Sequence, residues 1–236
     1  MFMNNPTNVM GVFEKLFSYY GPQGWWPGDS QLEICLGAIL TQNTSWNNVE
    51  KALQNLKSYG ICSIEDLSTI PDSTLAKLIY SSGYFNSKTK TIKAFVSVIC
   101  SQYGGGLAKF LNLPGQQLRA QLLDIKGIGE ETADDIILYA AQKPTFVIDS
   151  YTRRIGARLK LPTAYKSYST YRHYFLENLP NNIKIFNEFH ALFVRLAKDY
   201  CFKQNPNCNF CPLLSICETG NIGGLKKLKG TKLRIS

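Results

Sequence analysis

The tightest constraint on this chain lies at Leu122-Leu123-Asp124-Ile125-Lys126-Gly127-Ile128-Gly129-Glu130-Glu131-Thr132-Ala133, where two apolar helical segments are joined by little more than Gly-Ile-Gly. Glycine reaches backbone angles that side chains resist, so Gly127 and Gly129 allow a tight hairpin whose amides lie open to a ligand. The second helix then starts with N–H groups that its own first turn does not satisfy, an arrangement suited to phosphate. From Thr132 to Gln142 the residues Ala133, Ile136, Ile137, Ala140 and Ala141 follow the i, i+3, i+4, i+7, i+8 spacing, so one face is buried. Pro144 ends that helix, Thr145-Phe146-Val147-Ile148 enters the core, and Asp149 stands where another helix begins. On pattern alone the stretch is equally an ordinary αα-hairpin followed by an Asp N-cap.

The rest of the chain repeats the helical pattern, with no internal repeat and no convincing strand pair, so the expected fold class is all-α. Phe13, Leu16, Phe17 and Tyr20 form a first amphipathic helix, and Trp25-Trp26-Pro27-Gly28-Asp29 follows as a loop. A buried helix through Ile34, Cys35, Ala38 and Ile39 leads to the polar turn Thr41-Gln42-Asn43-Thr44-Ser45-Trp46, with Thr44 or Ser45 capping the next helix. Lys88, Lys90 and Lys93 stand near the start of a later helix, where cations oppose the macrodipole, so local stability does not explain them. Arg153, Arg154 and Arg158 make one side of the helix after Asp149 basic, for phosphate contact or simple solvation. Tyr165, Tyr168, Tyr171, Tyr174 and Phe175 read as core.

A chain of 236 residues with 44% hydrophobic content can bury one large or two small cores. Its formal charge of +9 makes a polyanion the natural partner. Met1-Phe2-Met3-Asn4-Asn5-Pro6 lacks the basic and apolar regions of a leader, and no apolar run approaches membrane length, so a soluble cytoplasmic setting is expected, without a membrane partner. Of seven cysteines, Cys35, Cys62 and Cys100 are scattered in apolar contexts, whereas Cys201, Cys208, Cys211 and Cys217 crowd into one segment. Four thiolates that close can surround one metal centre. Zinc is one alternative, although its structural sites favour two short Cys pairs across a longer spacer. The spacing also departs from the common ferredoxin patterns.

Taken together, Ile-Lys-Gly-Ile-Gly-Glu-Glu-Thr-Ala, the following Asp149 and the cysteine spacing resemble the endonuclease III superfamily of DNA glycosylases, with its helix-hairpin-helix, Gly/Pro-rich loop and aspartate. The resemblance implies a two-domain helix-hairpin-helix fold with a C-terminal iron-sulfur loop. A six-helix domain would span 29–143, a second helical domain would combine 1–28 with 144–225, and 226–236 would be a basic tail. The catalytic cleft would lie between the domains, and Cys201, Cys208, Cys211 and Cys217 would bind a [4Fe-4S] cluster. Asp149 would be the catalytic carboxylate. Gln42 would fill the space left by a flipped base, with Trp46, Trp25, Trp26 and Glu131 about the base pocket. Lys126, Gly127, Gly129, Lys88 and Lys203 would meet the DNA backbone. The expected partner is damaged double-stranded DNA, bound by a monomer in a bacterial or archaeal nucleoid.

Bifunctional members of the superfamily carry a lysine immediately before the small-residue pair written here as Thr132-Ala133, and this chain has Glu131 there. Relatives that remove adenine from mispairs have a glutamate four residues before the loop glutamine, where this chain has Ala38. The branch most resembled is the 3-methyladenine DNA glycosylase III type, with the iron-sulfur cysteines retained. It implies a monofunctional glycosylase for N-alkylated purines. The alternatives are a glycosylase/lyase for oxidised pyrimidines using another amine such as Lys126, and a non-catalytic iron-sulfur DNA-binding protein.

Overall fold

The computed structural model describes residues 8–162 and 164–221, so the basic tail that runs from Lys226 to Arg234 lies outside the described residues. Every regular element among the described residues is helical, as the sequence pattern predicts. In chain order the α-helices are α1 (Val9–Tyr20), α2 (Gln31–Leu40), α3 (Trp46–Tyr59), α4 (Ile64–Thr69), α5 (Asp72–Leu78), α6 (Phe85–Tyr103), α7 (Leu107–Leu111), α8 (Gly115–Asp124), α9 (Glu130–Asp135), α10 (Ser150–Arg158), α11 (Tyr168–Asn178) and α12 (Ile183–Asp199). α9 continues into a wider π-helical turn, Ile136–Ala140, before the break at Pro144.

Two compact units divide the chain: residues 26–144, and a second unit made from both ends, up to Trp25 and from Thr145 onward. Within the 26–144 unit the apolar faces of α2, α3, α6 and α8 meet through Ile39, Leu53, Phe95, Ile99 and Leu122, with Ile136 of the π-helical turn joining them. Its starts and stops are local. Ser30 accepts from the Glu33 amide at 3.1 Å while Glu33 Oε2 accepts from the Asp29 amide at 2.9 Å, and Ser63 with Asp66 repeats this reciprocal cap at α4. Pro71 and the Gly104–Gly106 turn cut the expected six helices of this region into eight segments, α2 to α9.

The unit built from the chain ends has an aromatic core. Phe146 stacks on Phe175 at 3.9 Å, and Phe186, Phe189 and Phe193 of α12 close around that pair. Phe13 of α1 meets Phe189 at 5.5 Å. Tyr171 and Phe175 are buried as the sequence predicts, but Tyr165 precedes α11 in the loop and is 84% exposed. It lies outside the helical register that the tyrosine spacing suggests, because α11 starts only at Tyr168.

The α6 lysines correct a second expectation. Lys88 is 4% exposed, and its amine donates to Leu40 O at 2.8 Å and Ser82 O at 2.7 Å. It is therefore removed from the set of DNA-backbone contacts. Lys93 likewise donates to Leu67 O at 2.8 Å and Ile70 O at 2.5 Å. These cations oppose the dipole of their own helix but neutralise the carbonyl ends of α2 and α4. Burial pushes the Lys88 amine down to about 8, so it is still protonated at neutral pH. We expect Lys88→Met to cost about 1–3 kcal/mol by leaving two buried carbonyls without a donor, measured by thermal or denaturant unfolding; an unchanged midpoint would show that the amine is dispensable.

Candidate active site and cysteine loop

In the 26–144 unit the expected hairpin forms between α8 and α9, and its two glycines serve different purposes. Gly127 has φ +96°, and a Cβ there would lie 2.0 Å from Thr91 Oγ1 on α6. Gly129 has extended backbone angles open to any residue, φ −94° and ψ −179°, with nothing within 4 Å of where a Cβ would stand. The first glycine is needed by the fold, while the second leaves room in front of the α9 amides. Arg119 braces the same turn by donating to Glu130 at 3.2 Å and to buried Asp134 at 3.1 Å, so α8 and α9 are held by a fork of charge-assisted bonds. Lys126 and Glu131 are exposed on the turn and on the first turn of α9.

Gln42 sits beside this hairpin. Its Nε2 donates to Thr132 Oγ1 at 3.0 Å and to Gly127 O at 3.3 Å, so the side chain is engaged with the protein itself. Trp46 begins α3, and its indole N–H donates to Glu50 Oε1 at 2.8 Å. Trp26 meets Trp46 edge-on at 5.2 Å, leans on Tyr139 at 5.1 Å and lies over Gly37, where a Cβ would approach its Nε1 to 3.1 Å. Trp26 and Trp46 thus form one aromatic seam, whereas Trp25 belongs to the other unit. Trp46 also lines an open cavity of about 540 Å³ with Asp29, Glu33 and Glu50. Tyr80 and Tyr84, before α6, are 67% and 71% exposed, with Tyr84 in the left-handed region at φ +47°. The glycine before Tyr84 is the signal that marks this sharp entry to α6.

In the unit made from the chain ends, Asp149 is the N-cap of α10. Its Oδ1 accepts from the Thr152 amide at 2.6 Å, and Oδ2 lies 3.6 Å from His190 Nε2 on α12. The carboxylate is 13% exposed. Burial by itself would raise its pKa, but the His190 imidazole and the Thr152 amide outweigh burial and hold it below the usual carboxylate range. His190 itself escaped the sequence reading, since a lone histidine on an apolar helix face carries no local signal of its partner.

The four cysteines line one apolar cavity of about 30 Å³ with Tyr200, Pro206 and Leu214. No three His, Cys, Asp or Glu side chains among the described residues stand in metal-binding geometry. Burial pushes the Cys211 thiol up to about 11, and the other three sulfurs add to that rise. Four thiolates at this spot therefore require a compensating cation. Partial compensation is present: backbone amides of Leu213 and Gly220 face Cys211 and Cys217, and Arg158 Nη1 donates to Cys201 Sγ at 3.0 Å. Four sulfurs lining one cavity are a donor set of the kind a metal-sulfur centre uses. Arg154 donates to Cys201 O at 2.9 Å, Arg158 also reaches Phe202 O at 2.8 Å and Lys203 O at 3.2 Å, and Arg153 bonds Lys166 O at 3.1 Å. The basic face of α10 is thus spent largely on the chain's own carbonyls. Lys203 is exposed on the loop.

The family model described as "HhH-GPD superfamily base excision DNA repair protein" matches residues 36–181. A protein of Methanocaldococcus jannaschii named as a candidate DNA repair glycosylase is 39% identical over 89% of this chain and 95% of its own length. Among solved structures, a non-covalent endonuclease III–DNA complex superposes with a TM-score of 0.78 at 19% identity, covering 94% of this chain and 97% of that one. The H. pylori 3-methyladenine DNA glycosylase bound to 1,N6-ethenoadenine gives 0.71 at 26% identity, covering 80% and 96%.

The two hairpin glycines separate in a simple test. Gly127→Ala should destabilise the protein by about 1–3 kcal/mol through strain and the Thr91 clash, whereas Gly129→Ala should leave the unfolding midpoint almost unchanged and weaken binding to duplex DNA. Equal loss of stability in both variants would contradict the division.

Proposed function

The chain belongs to the HhH-GPD superfamily of base excision DNA repair proteins and is a DNA glycosylase of that superfamily; from this premise we propose that it removes N-alkylated purines such as 3-methyladenine and leaves the sugar-phosphate strand intact. The observation that carries the reading is Glu131. A strand-cleaving lyase needs an amine that forms a Schiff base with the opened sugar. The position before Thr132-Ala133 instead exposes a carboxylate in the first turn of α9. Likeness to a 3-methyladenine DNA glycosylase at 26% identity supports the same substrate class.

Base removal begins with extrusion of the base from duplex DNA, its partner, which we propose the protein meets as a monomer. Gly129 and Lys126 are proposed to hold the backbone phosphate, and Lys203 to add affinity from the cysteine loop. Gln42 would leave Thr132 and Gly127 to fill the gap in the stack. Trp46, with Trp26 behind it, offers an aromatic face to the alkylated base, whose positive charge it attracts by about 0.5–2 kcal/mol. The bond from sugar C1′ to the base nitrogen then breaks with its electron pair passing to the base, which leaves neutral. The positive charge moves to the sugar, where the Asp149 carboxylate stabilises it. Water adds at C1′, and Asp149 accepts the proton it loses.

Cys201, Cys208, Cys211 and Cys217 are the residues that would hold the [4Fe-4S] cluster, which when bound supplies metal-sulfur bonds that fix the loop and contribute to folding. A purified protein carrying iron and inorganic sulfide, both lost on Cys211→Ser, supports this assignment; stoichiometric zinc in their place refutes it.

The activity is tested by a base-release screen over alkylated, oxidised and deaminated duplexes with borohydride trapping on each. Release of 3-methyladenine from methylated duplex, a fall of about 10²-fold or more in Asp149→Asn, and no trapped adduct are expected. Efficient trapping would instead establish a lyase, and tight binding with every base left intact would establish a non-catalytic DNA-binding protein.

A further inference from the structure

The two oxygens of Asp149 are held by different partners, and the proposed chemistry uses neither partner directly. Oδ1 is fixed by a backbone amide of its own helix, the Thr152 N–H at 2.6 Å. Oδ2 faces a side chain from a different helix, His190 at 3.6 Å, which arrives from α12 with 4% of its surface exposed. His190 is the titratable group facing Asp149 from the packed helices, and Thr152 is its polar neighbour within α10. A histidine buried in an aromatic helix face is costly unless it serves a polar partner. The aromatic residues Phe186, Phe189 and Phe193 share its helix and pack into the core, and Phe or Leu would satisfy that packing alone.

Resting on the reading of Asp149 as the catalytic carboxylate, we propose that His190 is a positioning residue that orients Oδ2 and keeps the buried carboxylate ionised for base excision. Asp149 must be an anion to stabilise the sugar cation and to accept the proton from water. Burial favours its neutral form, and the α10 amide restrains one oxygen only. His190, 3.6 Å from the second oxygen, supplies the favourable interaction from outside the helix. The sign follows from the lowered carboxyl pKa: activity and the stability contributed by this group are present above the ordinary carboxylate range, and both fall as pH drops through the lowered value. Weakening the His190 contact raises that value, so the acid limb of the activity profile moves to higher pH.

The test is the single-turnover release of 3-methyladenine from methylated duplex DNA as a function of pH, with enzyme-free release subtracted, for the full-length wild type, Asp149→Asn, His190→Gln and His190→Leu. His190→Gln retains a donor, so its rate at neutral pH should stay within about threefold of wild type, while loss of the imidazole moves its acid limb upward. His190→Leu should move the limb further, by about one pH unit, and lower the neutral rate by about tenfold or more. Affinity for an abasic duplex should be the same in wild type, His190→Gln and His190→Leu, a result that a merely structural role would not couple to a displaced pH profile. Wild-type rate and limb in His190→Leu, with Asp149→Asn inactive, would overturn the role of His190 alone. If His190→Leu fails to fold, an unmoved acid limb in His190→Gln overturns it equally. Full activity in Asp149→Asn would overturn the reading of Asp149 and the inference with it.

Discussion

The start of α10 is the interaction on which the unit built from the chain ends depends. Asp149 fixes the first turn through the Thr152 amide, and the helix then carries Arg154 and Arg158, five and nine residues further on, to the cysteine loop. Each residue along a helix turns about 100°, so a cap displaced by one position would rotate both arginines off Cys201. α12 makes a second connection of the same kind, with His190 at Asp149 and the helix end leading into Cys201. Gly156 shows how closely this frame is packed, since a Cβ there would fall 1.7 Å from Tyr171 Oη on α11. A carboxylate in the position of a simple cap thereby shares its supports with the loop that would bind the cluster.

In the 26–144 unit the comparable frame is one face of α6. Lys88 terminates α2 by holding Leu40 O, and Gln42 follows two residues later in reach of the hairpin. Thr91, one turn along α6 from Lys88, closes against Gly127. The end of α2 and the position of the hairpin are therefore set by the same helix. This gives Gln42 a defined resting place in the absence of DNA. Two hydrogen bonds to Gly127 O and Thr132 Oγ1 hold it there, and a net contribution of about 0.5–1.5 kcal/mol for each is small enough to be exchanged for contacts within a base stack.

The parts of this architecture that were legible in sequence are those with local causes. The Gly-Ile-Gly turn, the break at Pro144, the Asp149 cap and the cysteine spacing each act over a few residues, and the structure forms the hairpin, the break and the cap where the pattern puts them. The helical class follows from period alone. What could not be read were partners distant in the chain. Lys88 looked misplaced at a helix start because the carbonyls it serves belong to Leu40 and Ser82, and His190 gained meaning only from Asp149, 41 residues earlier. Gly129 illustrates the opposite error: grouped with Gly127 by sequence, it has ordinary extended angles and open space where a Cβ would stand, so the fold does not require a glycine there.

The distribution of lysines adds a physical argument about the reaction class. A Schiff-base lyase requires a neutral amine, which proteins obtain by burying a lysine until its pKa falls toward neutrality. This chain contains such a lysine in Lys88, pushed down to about 8 by burial, yet its Nζ is directed at two carbonyls and only 4% of the residue is exposed. It is sealed into the core as a donor. Lys126, on the hairpin, is exposed to solvent instead. The carboxylates divide in the complementary way. Asp149 is buried but kept anionic by its donors, whereas Glu131 lies exposed in the first turn of α9. Such a division suits the proposed reaction, which develops a sugar cation and needs a single well-held anion, with an alkylated base that departs neutral and asks for no covalent partner.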